Sequence, residues 1–251
     1  MSVCCFTSFT YAYAGRALVL LETVRAAHPD WAMCAVVVDE PPPGLDAVAL
    51  LAGFDQVLRP GDLGISRVEA WLFKHDVIEA CTAVKGAALL RLLAAGHETV
   101  IYLDPDIAVF APLETAMEAL DSASVVLTPH QTVPNANHRV ARDNELMCLR
   151  FGVFNLGFLA VRNDSAGLRF AEWWAAQLVR ACYDDAAAGL FTDQKYVDLV
   201  PALFDGVAIL RDPGCNVASW NLSARPVVIG RDGAITAGGA LLRFYHFTKI
   251  G

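Results

Sequence analysis

The run Met33-Cys34-Ala35-Val36-Val37-Val38 constrains this chain most. Six apolar residues without a polar interruption, three of them β-branched, read as a buried strand. The run delivers Asp39-Glu40 and is then broken by Pro41-Pro42-Pro43, which cannot continue a hydrogen-bonded ladder. Upstream, residues 3–6 read as a short strand and the Ala/Leu-rich residues 12–27 as a helix that stops near His28-Pro29. Strand, helix, strand in that order predicts a parallel βαβ unit, and with it an α/β fold. Open parallel sheets bind ligands beyond the carboxyl ends of their strands. Thr7, Ser8, Tyr11 and Asp39 thereby become candidates for a ligand-facing rim.

The same reading carries through the chain. Residues 44–52 predict a short helix and 56–58 a strand. Ser66-Arg67-Val68-Glu69 fits a capping box ahead of a helical stretch to Ala95, divided near Lys74-His75-Asp76. Lys85 lies amid Ala and Leu in the second piece. It is either a snorkelling surface lysine or a cation aimed at phosphate. Residues 112–120 predict a helix and 125–127 a core strand. Residues 128–152, with His130, Asn135, Asn137, His138, Arg142 and Asp143, form the longest irregular segment, helical in part around 139–149. A loop of that length tends to be a lid or binding segment, and ligand binding is expected there. Residues 153–161 predict a strand interrupted by Asn155-Leu156-Gly157, where glycine marks a bulge or the close approach of a ligand. Asp164 caps a helix to Ala181, with Trp173 and Trp174 expected in the core. Thr192 is expected to cap the next helix. Residues 207–210, 227–229 and 240–245 predict late strands, the last ending at His246. No repeat, low-complexity tract or linker divides residues 1–251, so one domain is expected.

The chain of 251 residues is 55% hydrophobic and 18% charged, enough to bury a large core. Its formal charge of −8 opposes a general grip on nucleic acid or anionic lipid. The seven cysteines show no C-x-x-C pair or zinc spacing, and most lie in apolar segments, as expected of reduced thiols in a reducing compartment. No basic n-region precedes an apolar run at the N-terminus, and residues 17–21 are too few to span a bilayer. A cytoplasmic protein is expected, which a lipid-linked substrate would draw to a membrane surface.

In Val100-Ile101-Tyr102-Leu103-Asp104-Pro105-Asp106 a buried strand runs into two carboxylates one residue apart. Alone, the pair reads as a turn capping local N–H groups. Held close, like charges raise each other's proton affinity unless a cation lies between them, and a hard, oxygen-seeking metal would resolve the conflict. His246 also follows a strand, so it can share a rim with Asp104. Two carboxylates and an imidazole suit Mn²⁺ somewhat better than Mg²⁺.

Four blocks in order, Tyr102-Leu103-Asp104-Pro105-Asp106, Phe154-Asn155-Leu156-Gly157-Phe158, Thr192-Asp193-Gln194 and Phe244-Tyr245-His246-Phe247-Thr248, resemble the GT-A glycosyltransferases of the glycogenin and bacterial lipopolysaccharide galactosyltransferase type. The resemblance spans nearly the whole chain. It implies a Rossmann-like domain with a mostly parallel central sheet flanked by helices. The implied activity is transfer, with retention, of a sugar from a nucleotide-diphosphate donor, a UDP-sugar first, to a glycan or lipid-linked acceptor. By the same resemblance Asp104, Asp106 and His246 hold Mn²⁺ or Mg²⁺, Asp104 also contacts the donor ribose, and Lys85 lies near the diphosphate. Asn155 lies near the donor sugar, Asp193 and Gln194 lie by the sugar and the reacting carbon, and Thr7, Ser8 and Tyr11 cradle base and ribose. The family often has Asp or Asn where Thr7-Ser8 stand, which leaves the base open. Lys249 replaces a glycine of the family's ending and becomes a candidate phosphate-binding cation. Two alternatives stand beside this reading: an aspartate-nucleophile phosphatase, which also places D-x-D after a strand, and a non-catalytic nucleotide-sugar-binding domain.

Overall fold

The structure, a computed structural model, describes residues 2–248. The chain opens with β1 (Val3–Phe9), α1 (Ala14–Ala27), β2 (Ala32–Val37), α2 (Ala47–Leu51) and β3 (Gln56–Leu58). Next come α3 (Val68–Leu72), α4 (Val77–Ala94), β4 (Thr99–Leu103), β5 (Ile107–Val109), α5 (Glu114–Ser122) and β6 (Val125–Pro129). After α6 (His138–Phe151), β7 (Phe154–Arg162) and α7 (Ser165–Ala181) come the short α8 (Gln194–Val197) and α9 (Val200–Leu203). The chain closes with β8 (Val207–Ile209), β9 (Val227–Ile229), β10 (Ile235–Ala237), β11 (Ala240–Leu241) and β12 (Phe244–His246).

Seven strands form the central sheet in the order β3-β2-β1-β4-β7-β6-β8. All run one way except β7, which is antiparallel to both β4 and β6. The βαβ unit expected from the first two strands is present, with β1 parallel to β2. Helices cover both faces, which is why the strands read as unbroken apolar runs. Cys4, Phe6, Cys34, Val36, Val100 and Tyr102 pack on one side with Ala83, Val84, Leu92, Phe170 and Trp174 of α4 and α7. Their neighbours Val3, Cys5, Met33, Ala35, Ile101 and Leu103 pack on the other side with Ala17, Leu20, Val24 and Leu120 of α1 and α5. The alternation is the strand's period of two. Trp174 is fully buried, and Trp173 packs at the margin of the same cluster, as expected of core tryptophans.

Several expected boundaries move. β1 runs to Phe9, not Phe6, because the whole stretch pairs with β2 through Phe9↔Val37; Thr7 and Ser8 thus lie inside a strand. The capping box does not form at Ser66. Arg67, in the left-handed region at φ 48°, occupies the N-cap of α3, whereas Asp76 and Glu79 exchange the reciprocal bonds at α4. The break between the two helical pieces falls where expected. Thr192 does not cap α8, since Asp193 occupies that position. The expected strand at 240–245 is split into β11 and β12 where Arg243 N–H and Phe244 N–H turn to Gly214 O. β10 has no counterpart among the expected strands. The α6 helix fills most of the segment expected to be irregular. Among the described residues no helix is long and apolar enough to cross a membrane.

Two features of this frame decide where distant side chains converge. β12 pairs antiparallel with β5, setting His246 opposite Ile107, and it is clamped from the other side by bonds between His246 N–H and Val217 O and between Val217 N–H and Phe244 O. In α4, a Cβ at Gly86 would lie 2.6 Å from the Cα of Ala175, so glycine lets α4 and α7 approach closely.

Candidate active site

β4 ends at Leu103, where Pro105 denies the ladder a donor. Asp104 N–H still reaches Gly157 O (2.9 Å), and Ile107 N–H returns to Asp104 O (3.0 Å), closing a turn that projects both carboxylates from the sheet. The β5–β12 ribbon then brings His246 onto the turn. Its Nε2 lies 3.1 Å from Asp106 Oδ1 and 3.5 Å from Asp104 Oδ2, and Phe247 N–H ties the ribbon to Asp106 O. One ligand atom from each of the three residues falls within 4.8 Å of the other two. Burial raises the proton affinity of Asp106, but the hydrogen bond and charge of His246 outweigh it and hold the carboxyl below the usual range.

The other oxygen of Asp104 is spoken for. Tyr102 Oη donates to Oδ1 at 2.6 Å, and Lys85 Nζ reaches the same atom at 3.2 Å. Burial and the Asp104 charge push the Tyr102 phenol well up, so it remains a donor. Lys85 is 2% exposed, which overturns the snorkelling reading of this residue. Its Nζ lies 2.9 Å from Asp193 Oδ2, donates to Leu156 O at 3.1 Å, and sits 4.1 Å above the Tyr102 ring. Burial alone would strip its proton; Asp104 and Asp193 outweigh that and hold its affinity well above the ordinary lysine range. Lys85 is therefore a fixed buried cation joining two carboxylates.

Asp193 is 2% exposed, and Thr192 Oγ1 donates to its Oδ1 at 3.1 Å. Thr192 adopts φ 44°, a conformation that costs a β-branched residue about 1–3 kcal/mol and is found where a site over-determines the backbone. Gln194 Nε2 donates to Phe151 O at 2.9 Å while its Oε1 accepts from Leu156 N–H at 3.3 Å. Asn155 stands between Gln194 and His246, with its Oδ1 3.1 Å from His246 Nδ1.

Lys85, Asp104, Asp106, Asn155, Asp193, Gln194 and His246 all line one cavity of about 840 Å³. That volume suits a small-molecule ligand. Its walls also carry Ile78, Met147, Phe151 and Phe191, and α6 forms one side. Among the described residues, Thr7, Ser8, Tyr11 and Asp39 stand outside that lining. Thr7 is fully buried, and Ser8 Oγ donates to Cys81 O and touches Tyr102 Oη at 3.1 Å, behind Asp104. Tyr11 N–H donates to Asp39 Oδ1 at 2.9 Å, joining the ends of β1 and β2 as a separate rim. Lys249 lies outside the described residues.

Sequence reasoning gives no role to three residues, two at this centre and one at the separate rim. In the sequence Tyr102 is only part of an apolar run. Trp220, in the connection before β9, sets its ring 5.4 Å from His246 and 5.3 Å from His130. Arg59 donates to Tyr11 Oη at 2.6 Å and to Asp39 O. A tyrosine in a core strand, or an arginine after one, carries no local signal of these long-range partners.

No protein-family model matches the chain. The uncharacterized protein YfnF of Bacillus subtilis (strain 168) is 30% identical over 177 residues, covering 69% of this chain and 57% of that protein. The chain spans about half the length of the curated relatives it matches. Among solved structures, the galactosyltransferase LgtC in complex with donor and acceptor sugar analogs superposes with a TM-score of 0.56 at 17% identity, covering 98% of this chain and 87% of that one. Mouse xyloside xylosyltransferase 1 gives a TM-score of 0.55 at 14% identity, covering 99% and 98%. The chain has the GT-A fold of these glycosyltransferase structures.

Proposed function

We propose that this chain, built on the GT-A fold, is a metal-dependent glycosyltransferase. It moves a sugar from a nucleotide-diphosphate donor, a UDP-sugar foremost, to a glycan or lipid-linked saccharide with retention at the anomeric carbon. One observation carries the reading: Asp104, Asp106 and His246 converge on a wall of a cavity that also presents Lys85, Asp193 and Gln194. The donor set fits a divalent ion, since two carboxylate oxygens and an imidazole nitrogen make a mixed hard set suited to Mn²⁺ or Mg²⁺. When bound, such an ion supplies Lewis-acid neutralisation of a departing diphosphate.

The protein's own groups divide the remaining work. Asp104 turns Oδ2 to the ion position because Lys85 and Tyr102 occupy Oδ1. Lys85 keeps Asp193 and Asp104 oriented and offsets their charge, so two carboxylates coexist in one cavity. Asp193 and Gln194 are held by Thr192 and by the backbone of Phe151 and Leu156, and we assign them to positioning the donor sugar at the reacting carbon. Tyr11 and Asp39, at the strand ends, are assigned to base and ribose.

Thermal unfolding against UDP, GDP, CDP and dTDP, with and without Mn²⁺, tests the proposal. One nucleotide should stabilise the protein only with the metal present, by about 2.7 kcal/mol at a hundredfold excess over Kd. Failure of all four with Mn²⁺ present would rule out the donor site.

A further inference from the structure

The hydrogen bonds around Asn155 have a direction that three parts of the backbone dictate. Phe151 C=O can only accept, so the Gln194 atom 2.9 Å from it is the amide nitrogen, and Oε1 faces the other way. Leu156 N–H, which can only donate, reaches that Oε1 at 3.3 Å and agrees. Asn155 therefore turns Nδ2 toward Gln194 Oε1 (3.4 Å). On the opposite side Gly157 N–H, again only a donor, reaches Asn155 Oδ1 at 3.3 Å, fixing that atom as oxygen. His130 closes the set: its Nδ1 faces Val153 C=O at 3.2 Å and must carry hydrogen, leaving Nε2 to accept from Asn155 Nδ2 at 3.4 Å.

With these polarities set, the contact between His246 Nδ1 and Asn155 Oδ1 (3.1 Å) has one sense, Nδ1–H donating. We infer that Asn155 is a positioning residue for the metal centre, whose Oδ1 holds a hydrogen of His246 on Nδ1 and so leaves Nε2, which faces Asp104 and Asp106, as the nitrogen that takes the ion. Gly157 makes the contact sterically feasible, since a Cβ there would lie 2.7 Å from His246 Nδ1 and 2.8 Å from Asn155 Oδ1. The Asn155 amide is also fully engaged: two donors meet its oxygen and two acceptors face its nitrogen. It thus acts through His246 rather than by gripping the sugar. Metal-bound histidines generally donate their second ring N–H to a fixed acceptor, and loss of that acceptor weakens the metal.

The inference rests on the metal reading above, and its test separates the two. Long-range ¹H–¹⁵N correlation spectra of the metal-free protein report which nitrogen of His246 carries hydrogen, and Mn²⁺ titration followed by EPR reports affinity. In the wild type Nδ1 is protonated. In Asn155→Leu the acceptor is gone, Nδ1 loses its hydrogen while Nε2 keeps one against the carboxylates, and Mn²⁺ affinity falls at least about tenfold. Asn155→Asp keeps an oxygen acceptor while discarding the Nδ2 donors, so it restores the Nδ1 hydrogen and most of the affinity. A wild-type His246 bare at Nδ1, or an Asn155→Leu variant with its affinity unchanged, overturns the inference. An Asp variant as weak as Leu overturns it too, because the loss would then follow the Nδ2 bonds. Absence of Mn²⁺ binding in the wild type would instead overturn the metal reading, while the Nδ1 signal still decides the hydrogen-bond assignment.

Discussion

Replacing Gly157 by alanine should disable the proposed metal centre while leaving the sheet assembled. The added methyl would lie 2.6 Å from His246 Cε1, where ordinary contacts begin at 3.4 Å, so the ring must retreat by about 0.8 Å to regain ordinary contact, the difference of the two. It cannot do so freely. Its backbone is paired with Ile107 on one side and bonded to Val217 on the other, and Nε2 stands 3.1 Å from Asp106. Overpacking of this type costs about 1–3 kcal/mol of stability. Loss of the Asn155 hydrogen bond should weaken the metal by about 10–100-fold. That corresponds to about 1.4–2.8 kcal/mol of binding free energy. The assay is an EPR titration with Mn²⁺, paired with thermal unfolding in EDTA. Gly167→Ala serves as the control: its methyl would meet Arg162 O at 2.0 Å, away from the cavity, and should lower Tm without changing the affinity of the folded protein. A Gly157→Ala protein that binds Mn²⁺ within about threefold of the wild type would refute the reasoning.

Two further outcomes come from the electrostatics. Lys85→Met leaves Asp193, 2% exposed, and Asp104 without their shared cation. Urea unfolding should register a loss of about 3–5 kcal/mol, partly recovered by adding Asp193→Asn; a loss under about 1 kcal/mol would contradict the buried-cation role. Burial lowers the pKa of His130 from 6.5 to about 4, with Val153 O opposing and His246 assisting. Between those values the unfolded chain binds the extra proton and the folded one does not, so folding stability falls as pH drops through that window. Against a His130→Gln variant, thermal unfolding should show the wild type's relative stability constant above pH 6.5 and declining from there toward about pH 4. A relative stability that rises on acidification would reverse the assignment.

What the sequence disclosed, and what it hid, divides by the range of the interactions. The buried strands at 33–38 and 100–103 are legible because both faces are covered, so hydrophobicity is continuous. Asp104-Pro105-Asp106 is legible because proline ends the strand locally. The partnership with His246 is legible only as two strand ends that can share a rim and as part of four ordered blocks; the contact itself depends on β12 folding back onto β5. Polarity misleads at Thr7 and Ser8, which look like loop residues yet lie in β1, Ser8 with its hydroxyl spent on Cys81 O. The box at Ser66 fails because Arg67 takes a left-handed conformation that no local pattern announces. Gly157 reads as a bulge or a point of ligand approach; the close approach is real, but what approaches is the protein's own histidine. Lys85 shows the same limit: a lysine amid Ala and Leu reads equally as a surface residue until Asp104 and Asp193 appear around it.

Anomalous diffraction from crystals soaked in Mn²⁺ and UDP tests the central claim most directly. The expected result is a manganese peak bounded by Asp104, Asp106 and His246 Nε2, with the diphosphate against it and the nucleoside extending toward Tyr11 and Asp39. A manganese peak elsewhere, or ordered UDP in the cavity with no metal beside those three side chains, would contradict it.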